Sequence, residues 1–310
     1  MIEISVVIPM FNESEVMEKL FARLKPCIEQ VTTNYEIVCV NDGSRDDTLL
    51  KLREFHRQDP RIKVVHLSRN FGKEAALTAG IDYTVGRVVI PIDADLQDPP
   101  EMIPQMIAKW KEGYKVVLAT RRSRPTDSWL KRKSAGWFYR AINAVSTVKI
   151  PPNTGDYRLM DRQVVDAVKR LPERTRFMKG IFAFAGFSTT TIYFDRESRA
   201  AGTTSWNYWG LWKFALEGIF SFTTVPLHIW TYMGAVISLV SFFWALEIIV
   251  KTMIFGNPVH GYASTMVAVL FMGGVQLLSI GIIGEYVGRI FTETKHRPVY
   301  LVEETLGIQQ

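Results

Sequence analysis

Val88-Val-Ile-Pro-Ile-Asp-Ala-Asp-Leu-Gln-Asp98 sets a short, uncharged run directly against a cluster of carboxylates. A run this short, rich in β-branched residues and bounded by turn chemistry, reads as a strand buried on both faces. Four more runs share its character: Ile4–Ile8, Ile37–Val40, Val64–Leu67 and Val116–Ala119. Between them the apolar residues recur at helical spacing over roughly Glu15–Ile28, Thr48–His56, Lys73–Tyr83 and Glu101–Trp110. Strands that alternate with helices in this way predict an α/β fold, a mostly parallel sheet flanked by helices on both faces. Ligands of such sheets sit beyond the carboxyl ends of the strands. The polar residues gather there: Pro9-Met-Phe-Asn-Glu13 after the first strand, Asn41-Asp-Gly-Ser44 after the second, Asp93 to Asp98 after the fourth. The chain contains no Gly-x-Gly-x-x-Gly and no Walker lysine loop, which argues against a dinucleotide fold or a P-loop.

Asp93 and Asp95 stand two apart, so on an extended segment both side chains leave the same face. Carboxylates so placed suit a hard divalent ion, Mg²⁺ or Mn²⁺, held by one or two protein oxygens and by the phosphates of a nucleotide. Such an ion neutralises charge on a departing diphosphate. Asp42 reads either as an acceptor for the base of a nucleotide or as the cap of a tight turn, since Asn-Asp-Gly-Ser is strong turn chemistry. Lys73 likewise reads as a nucleotide contact or as part of a helix start, and is not counted among the site residues. Cys27 and Cys39 make neither a disulfide framework nor a metal-binding spacing, and the five histidines share no spacing.

The formal charge of +6 and a pI near 9.2 fit a basic surface for phosphorylated or anionic partners. No motif for nucleic acid accompanies it. The mean hydropathy of +0.05 averages two unlike regions. Residues 1 to about 225 carry most of the charge, as a water-exposed domain does. Charges are then absent from Ile229 to Leu246 and from Gly261 to Gly284. Runs of this length predict two transmembrane helices, about 228–252 and 262–287, within a membrane segment 226–290 followed by a cytoplasmic tail 291–310. Glu247 with Lys251, and Glu285 with Arg289, have the spacing of helix ion pairs. The amino terminus has no basic region and no cleavage site of a signal peptide, which places the first domain in the cytosol. Two spans return the chain to its starting side, and Arg289, Lys295 and Arg297 after the second agree with a cytoplasmic exit. Two aromatic stretches, about 129–147 and 206–224, read as amphipathic helices lying in the membrane interface. The basic run that precedes and enters the first of them supplies Arg122, Lys131 and Arg132 as candidates for gripping an acceptor phosphate.

Five motifs together carry a resemblance: V-V-I-P-M-F-N-E (6–13), V-N-D-G-S-x-D-x-T (40–48), R-N-F-G-K-E-A-A-L (69–77), D-A-D-L-Q-D-P-P (93–100) and N-T-G-D-Y-R-L-M (153–160). The chain resembles the family-2 glycosyltransferases with the GT-A fold. Among them it is most similar to the polyprenyl-phosphate group, and within that to the bactoprenol glucosyltransferases of O-antigen modification. The resemblance covers nearly the whole chain, tail included. It implies nucleotide-sugar contacts at Pro9, Glu13, Asp42 and Asp93, and metal contacts at Asp93, Asp95 and Gln97. It also implies sugar or acceptor contacts at Asp156, with Asp95 and Asp156 as the catalytic pair. Relatives carry Arg-x-x-Gly-x-Ser-Lys before the first span. Here Arg199 and Gly202 keep their places while Ser205 stands where the lysine would, which shifts diphosphate binding toward Arg199.

The activity so implied is inverting transfer of a hexose, glucose from UDP-glucose, to undecaprenyl phosphate at the cytoplasmic face of the inner membrane by a homo-oligomer, a tetramer in relatives. A phosphate monoester is largely deprotonated at neutral pH, so its attack hardly needs a strong base, and Asp156 is assigned to orienting sugar and acceptor, with proton removal as the weaker alternative. GDP-mannose as donor and a non-catalytic membrane scaffold are the alternatives. A processive polysaccharide synthase is disfavoured by the missing Gln-x-x-Arg-Trp motif and by the small number of spans.

Overall fold

The computed structural model describes residues 2–121, 154–171, 173–174, 176, 178–194, 225–255 and 261–308. Its centre is a parallel array in the order β3-β2-β1-β4: β1 (Ile4–Met10), β2 (Tyr35–Asn41), β3 (Ile62–Leu67) and β4 (Val88–Pro91). The chain adds strands outward from β1 to β3, then returns to the other side of β1 with β4. This reversal opens a crevice at the carboxyl ends of β1 and β4, where open α/β sheets bind ligands. The linking helices are α1 (Met17–Glu29), α2 (Thr48–Gln58) and α3 (Lys73–Asp82), with α4 (Ile103–Lys111) following β4. These strands and helices are the ones the periodicity predicts, with ends moved by a few residues.

Alternation along β1 explains how both faces are filled. Ile4, Val6, Ile8 and Met10 join one apolar core with Leu20, Leu24 and Ile28 of α1 and Ile103 and Met106 of α4. Val7 joins a second core with Leu77 and Ile81 of α3. Helix α3 lies so close to the sheet that a Cβ on Gly80 would fall 2.2 Å from Val7 Cγ1. An alanine-rich helix with a glycine at the crossing allows that approach.

The sheet is mixed where a mostly parallel one was expected. Beyond β4 lie β6 (Thr154–Asp161), β5 (Val116–Arg121) and β7 (Thr189–Phe194); β6 runs antiparallel to both β4 and β5. At the far edge β8 (Val302–Leu306) pairs antiparallel with β3. The 291–310 tail therefore returns to the sheet rather than trailing from it. Neither β6 nor β8 shows the apolar run of a buried parallel strand: β6 carries Asp156 and Arg158, and β8 carries Glu303 and Glu304. Two short helices, α5 (Arg162–Lys169) and α6 (Met178–Phe184), pack Val164, Val165, Met178 and Ile181 onto the second core.

Two long helices complete the described chain, α7 (Val225–Phe255) and α8 (Tyr262–Thr294), and they hold the two stretches expected as spans. Within the described residues one stretch, Phe271–Thr294, is long and apolar enough to cross a membrane by length and composition. Lys251 pairs with Glu247 at 2.6 Å and Arg289 with Glu285 at 3.1 Å, as their spacing predicts.

Candidate active site

Two loops interlock at the carboxyl edge of the sheet. Asn12, after β1, donates its amide to Ser44 Oγ at 2.9 Å, and its side-chain oxygen accepts from the Arg45 amide at 2.8 Å. The Glu13 amide donates to Thr48 Oγ1 at 3.0 Å. Pro9 is half-buried in β1, in register with Val40. Asn12 has a φ of 56°, an unfavourable setting for a side chain that the cross-loop bonds hold in place.

Asp42 is nearly inaccessible at 3 % exposure. Its carboxylate takes the amides of Phe71 at 2.7 Å and Gly72 at 2.9 Å, just ahead of α3. Burial pushes its pKa up, and the two amide bonds oppose that shift without cancelling it. Gly43 follows with φ +63°, and a Cβ there would lie 2.4 Å from the Arg69 carbonyl carbon. The second and third loops thus close on each other through backbone contact.

Strand β4 ends at Pro91, and Asp95 sits in a turn rather than on an extended segment. Asp95 Oδ1 accepts from the Gln97 amide at 3.1 Å, and Leu96 between them has φ 58°. An aspartate that closes a turn on the amide two residues on tolerates this geometry well. Gln97 and Asp98 are buried, and Tyr157 Oη of β6 donates to the Pro99 carbonyl at 2.8 Å, pinning the loop to its neighbour.

Strand β6 brings the remaining carboxylate. It pairs Asp161 with Val88 and Met160 with Val89, and its first residues, Asp156 among them, lie toward the loop after β4 that carries Asp93. Lys73, the first residue of α3, fills the gap. Its Nζ lies 2.7 Å from Asp93 Oδ1, 2.8 Å from Asp93 Oδ2 and 3.0 Å from Asp156 Oδ2. Burial works against the ammonium charge, but the carboxylates of Asp93 and Asp156 outweigh it and raise the Lys73 pKa above its ordinary value. Behind Asp156 lies Arg158, 5 % exposed, with its guanidinium 4.3 Å over the Phe182 ring and a bond to the Gly155 carbonyl. Burial lowers the Arg158 pKa to about 10 against the opposing charges of Asp156 and Glu74.

A model of the glycosyl transferase family 2 matches residues 5–169, the segment that holds Asp42, Asp93, Asp95 and Asp156. The chain belongs to that family. A second model, described as a GtrB C-terminal hairpin, matches residues 225–290. An uncharacterized glycosyltransferase of Synechocystis sp. is 58% identical over 99% of this chain and 97% of its own. A protein of Shigella phage SfX named bactoprenol glucosyl transferase is 49% identical over 97% of this chain and 99% of its own. Among solved structures, glucosyl-3-phosphoglycerate synthase from Mycobacterium tuberculosis aligns at TM-score 0.46 with 20% identity, covering 70% of this chain and 77% of that one.

As a family-2 glycosyltransferase of GT-A type, the chain presents Pro9, Glu13, Asp42, Asp93, Asp95, Gln97 and Asp156 along one edge of its sheet. Arg122, Lys131, Arg132 and Arg199, like the stretches 129–147 and 206–224, lie outside the described residues. Among the described residues no group of three or more His, Cys, Asp or Glu could hold a metal by itself. Two aspartates and an amide oxygen nonetheless fit Mg²⁺ or Mn²⁺, which take few protein ligands and complete their shell with phosphate oxygens and water. Asp93 meets that demand only by sharing its oxygens with Lys73 or giving them up.

Sequence reasoning left Lys73 aside and did not single out Arg158. A signal for Lys73 was present, because a cation in the first turn of a helix opposes the helix dipole and needs a compensating partner. No comparable signal marks Arg158, whose burial follows from the placement of β6.

Proposed function

We propose that this family-2 glycosyltransferase moves glucose from UDP-glucose to undecaprenyl phosphate, with inversion, at the cytoplasmic face of the inner membrane. One observation carries the reading. A carboxylate site suited to a sugar nucleotide is joined in one chain to two long helices that expose Phe242, Phe243, Trp244, Phe271 and Ile283. Apolar surface of that extent is costly in water and favourable in lipid, so the acceptor is a lipid rather than a soluble alcohol. Likeness to the phage protein named bactoprenol glucosyl transferase, over nearly both full lengths, supports the same acceptor and glucose as the sugar.

In this reading Asp42, with Pro9 and Glu13 beside it, receives the nucleoside. Each of its carboxylate oxygens keeps a second lone pair after bonding the Phe71 and Gly72 amides, so it can still accept from the base. Asp93, Asp95 and Gln97 would hold a divalent cation, Mg²⁺ or Mn²⁺, which would neutralise charge on the departing UDP. Asp156 faces the sugar from β6 and orients the attacking phosphate. That oxygen is already largely deprotonated near neutral pH, so no strong base is required. Lys73 before it pairs with Asp156, and Arg158 lies two residues along the strand. The basic residues Arg122, Lys131 and Arg132 hold the acceptor phosphate, and Arg199 the diphosphate.

The test is to incubate full-length protein in detergent with undecaprenyl phosphate and a panel of UDP- and GDP-sugars, with Mg²⁺ and with chelator. Glucosylated lipid and free UDP are expected with UDP-glucose and metal. Transfer that survives chelation, a preference for GDP-mannose, or release of free glucose without glycolipid would each overturn part of the assignment.

A further inference from the structure

Lys73 is placed where neither helix stability nor packing calls for a cation. It opens α3, whose amino terminus already carries partial positive charge, and its side chain is 47 % exposed, so it fills no core. Its ammonium has three carboxylate oxygens within 3.0 Å, two on Asp93 and one on Asp156. Asp93, in the loop after β4, and Asp156, on β6, meet at the Lys73 ammonium and would repel without a cation between them.

We infer that Lys73 is the resident counter-ion of this crevice, a positioning residue that holds Asp93 and Asp156 together until a divalent cation takes its place at Asp93. The inference rests on the proposal that Asp93 is a metal ligand. Two cations cannot both saturate the same carboxylate, because each would sit within a few ångströms of the other in a site partly shielded from water. Metal entry therefore strips Lys73 of two of its three acceptors. The ammonium keeps its contact to Asp156 and is free to turn toward negative charge elsewhere in the crevice. Free metal alone offers too little in exchange. A metal already carrying a nucleoside diphosphate brings the anionic oxygens that the displaced ammonium needs. The arrangement thus disfavours an ion in the empty crevice and favours one that arrives with the donor.

The experiment measures Mn²⁺ binding by electron paramagnetic resonance on full-length protein in detergent, without sugar donor or lipid, and again with UDP. Lys73→Met removes the charge at similar length, Lys73→Arg keeps it, and Asp93→Asn removes the shared ligand. Without UDP, Lys73→Met is expected to bind Mn²⁺ about tenfold more tightly than the unsubstituted protein, while Lys73→Arg stays within about twofold of it. With UDP the gap between Lys73→Met and the unsubstituted protein should close or reverse. Equal affinity of Lys73→Met and unsubstituted protein without UDP, alongside Asp93-dependent binding with UDP, overturns the counter-ion role and leaves the metal assignment standing. Binding that is indifferent to Asp93→Asn in every condition overturns the metal assignment and this inference with it. Retained UDP-dependent binding in a variant shows that its crevice is folded.

Discussion

Asp95 and Asp156 differ in what surrounds them, and that difference separates their roles. Asp95 closes a turn on the Gln97 amide and meets the crevice from a loop with a left-handed residue at Leu96. Asp156 lies on a strand, paired with Lys73 in front, with the buried Arg158 two residues further along. A carboxylate engaged by Lys73 suits orienting an acceptor that arrives already ionised. Asp95→Asn should lower kcat by roughly 10²- to 10³-fold, the scale on which loss of transition-state charge stabilisation is felt. Asp156→Asn should cost only about tenfold, since general-base loss runs to roughly 10²-fold or more. Single-turnover rates with radiolabelled UDP-glucose settle the order, and a larger loss for Asp156→Asn would make it the base.

Strand β8 shows how an unpromising segment becomes structural. Val-Glu-Glu-Thr-Leu has little apolar content, yet Val302 and Ile308 cover Val38, Val40, Val65 and Leu67, which β3 would otherwise leave at an open edge. Arg53 pairs with Glu304 at 2.5 Å, and Tyr300 Oη donates to Asp82 at 2.8 Å. The ion pair is partly exposed and adds little by itself; the ladder and the covered apolar surface carry the effect. Deleting residues 301–310 should lower the thermal midpoint of the detergent-solubilised protein by roughly 5 °C or more. It should also promote aggregation through the uncovered edge of β3. An unchanged midpoint by differential scanning fluorimetry would show that β8 bears no weight. The helices around the sheet obey simpler rules, and α1 and α4 are legible because each buries one regular apolar face on a strand pattern that is itself regular.

For the molecule as a whole, β8 constrains topology. Strands β1 and β8 share one sheet, so the chain leaving toward α7 and returning from α8 begins and ends on the same side of any membrane it enters. Ser14→Cys and Glu303→Cys should therefore respond alike to an impermeant maleimide in intact cells, both protected until lysis if the proposed cytoplasmic placement holds, with native Cys27 and Cys39 silent because they are buried. Labelling of one but not the other in intact cells would contradict the paired crossing. The central parallel strands, the four helices around them and the place of the Asp93–Asp95 segment after β4 were legible in the order of residues, though the turn at Asp95 was not, because burial on two faces forces an uninterrupted apolar run and ligand chemistry collects at strand ends. The loops around Asp42 and Glu13 were legible as turn chemistry, though their interlocking was not. What tertiary structure alone decided is the antiparallel entry of β6 beside β4, and with it the meeting of Asp93, Lys73 and Asp156. That meeting depends on strand register between segments far apart in the chain, and no local pattern of apolar and polar residues encodes which distant strand a polar one will pair with.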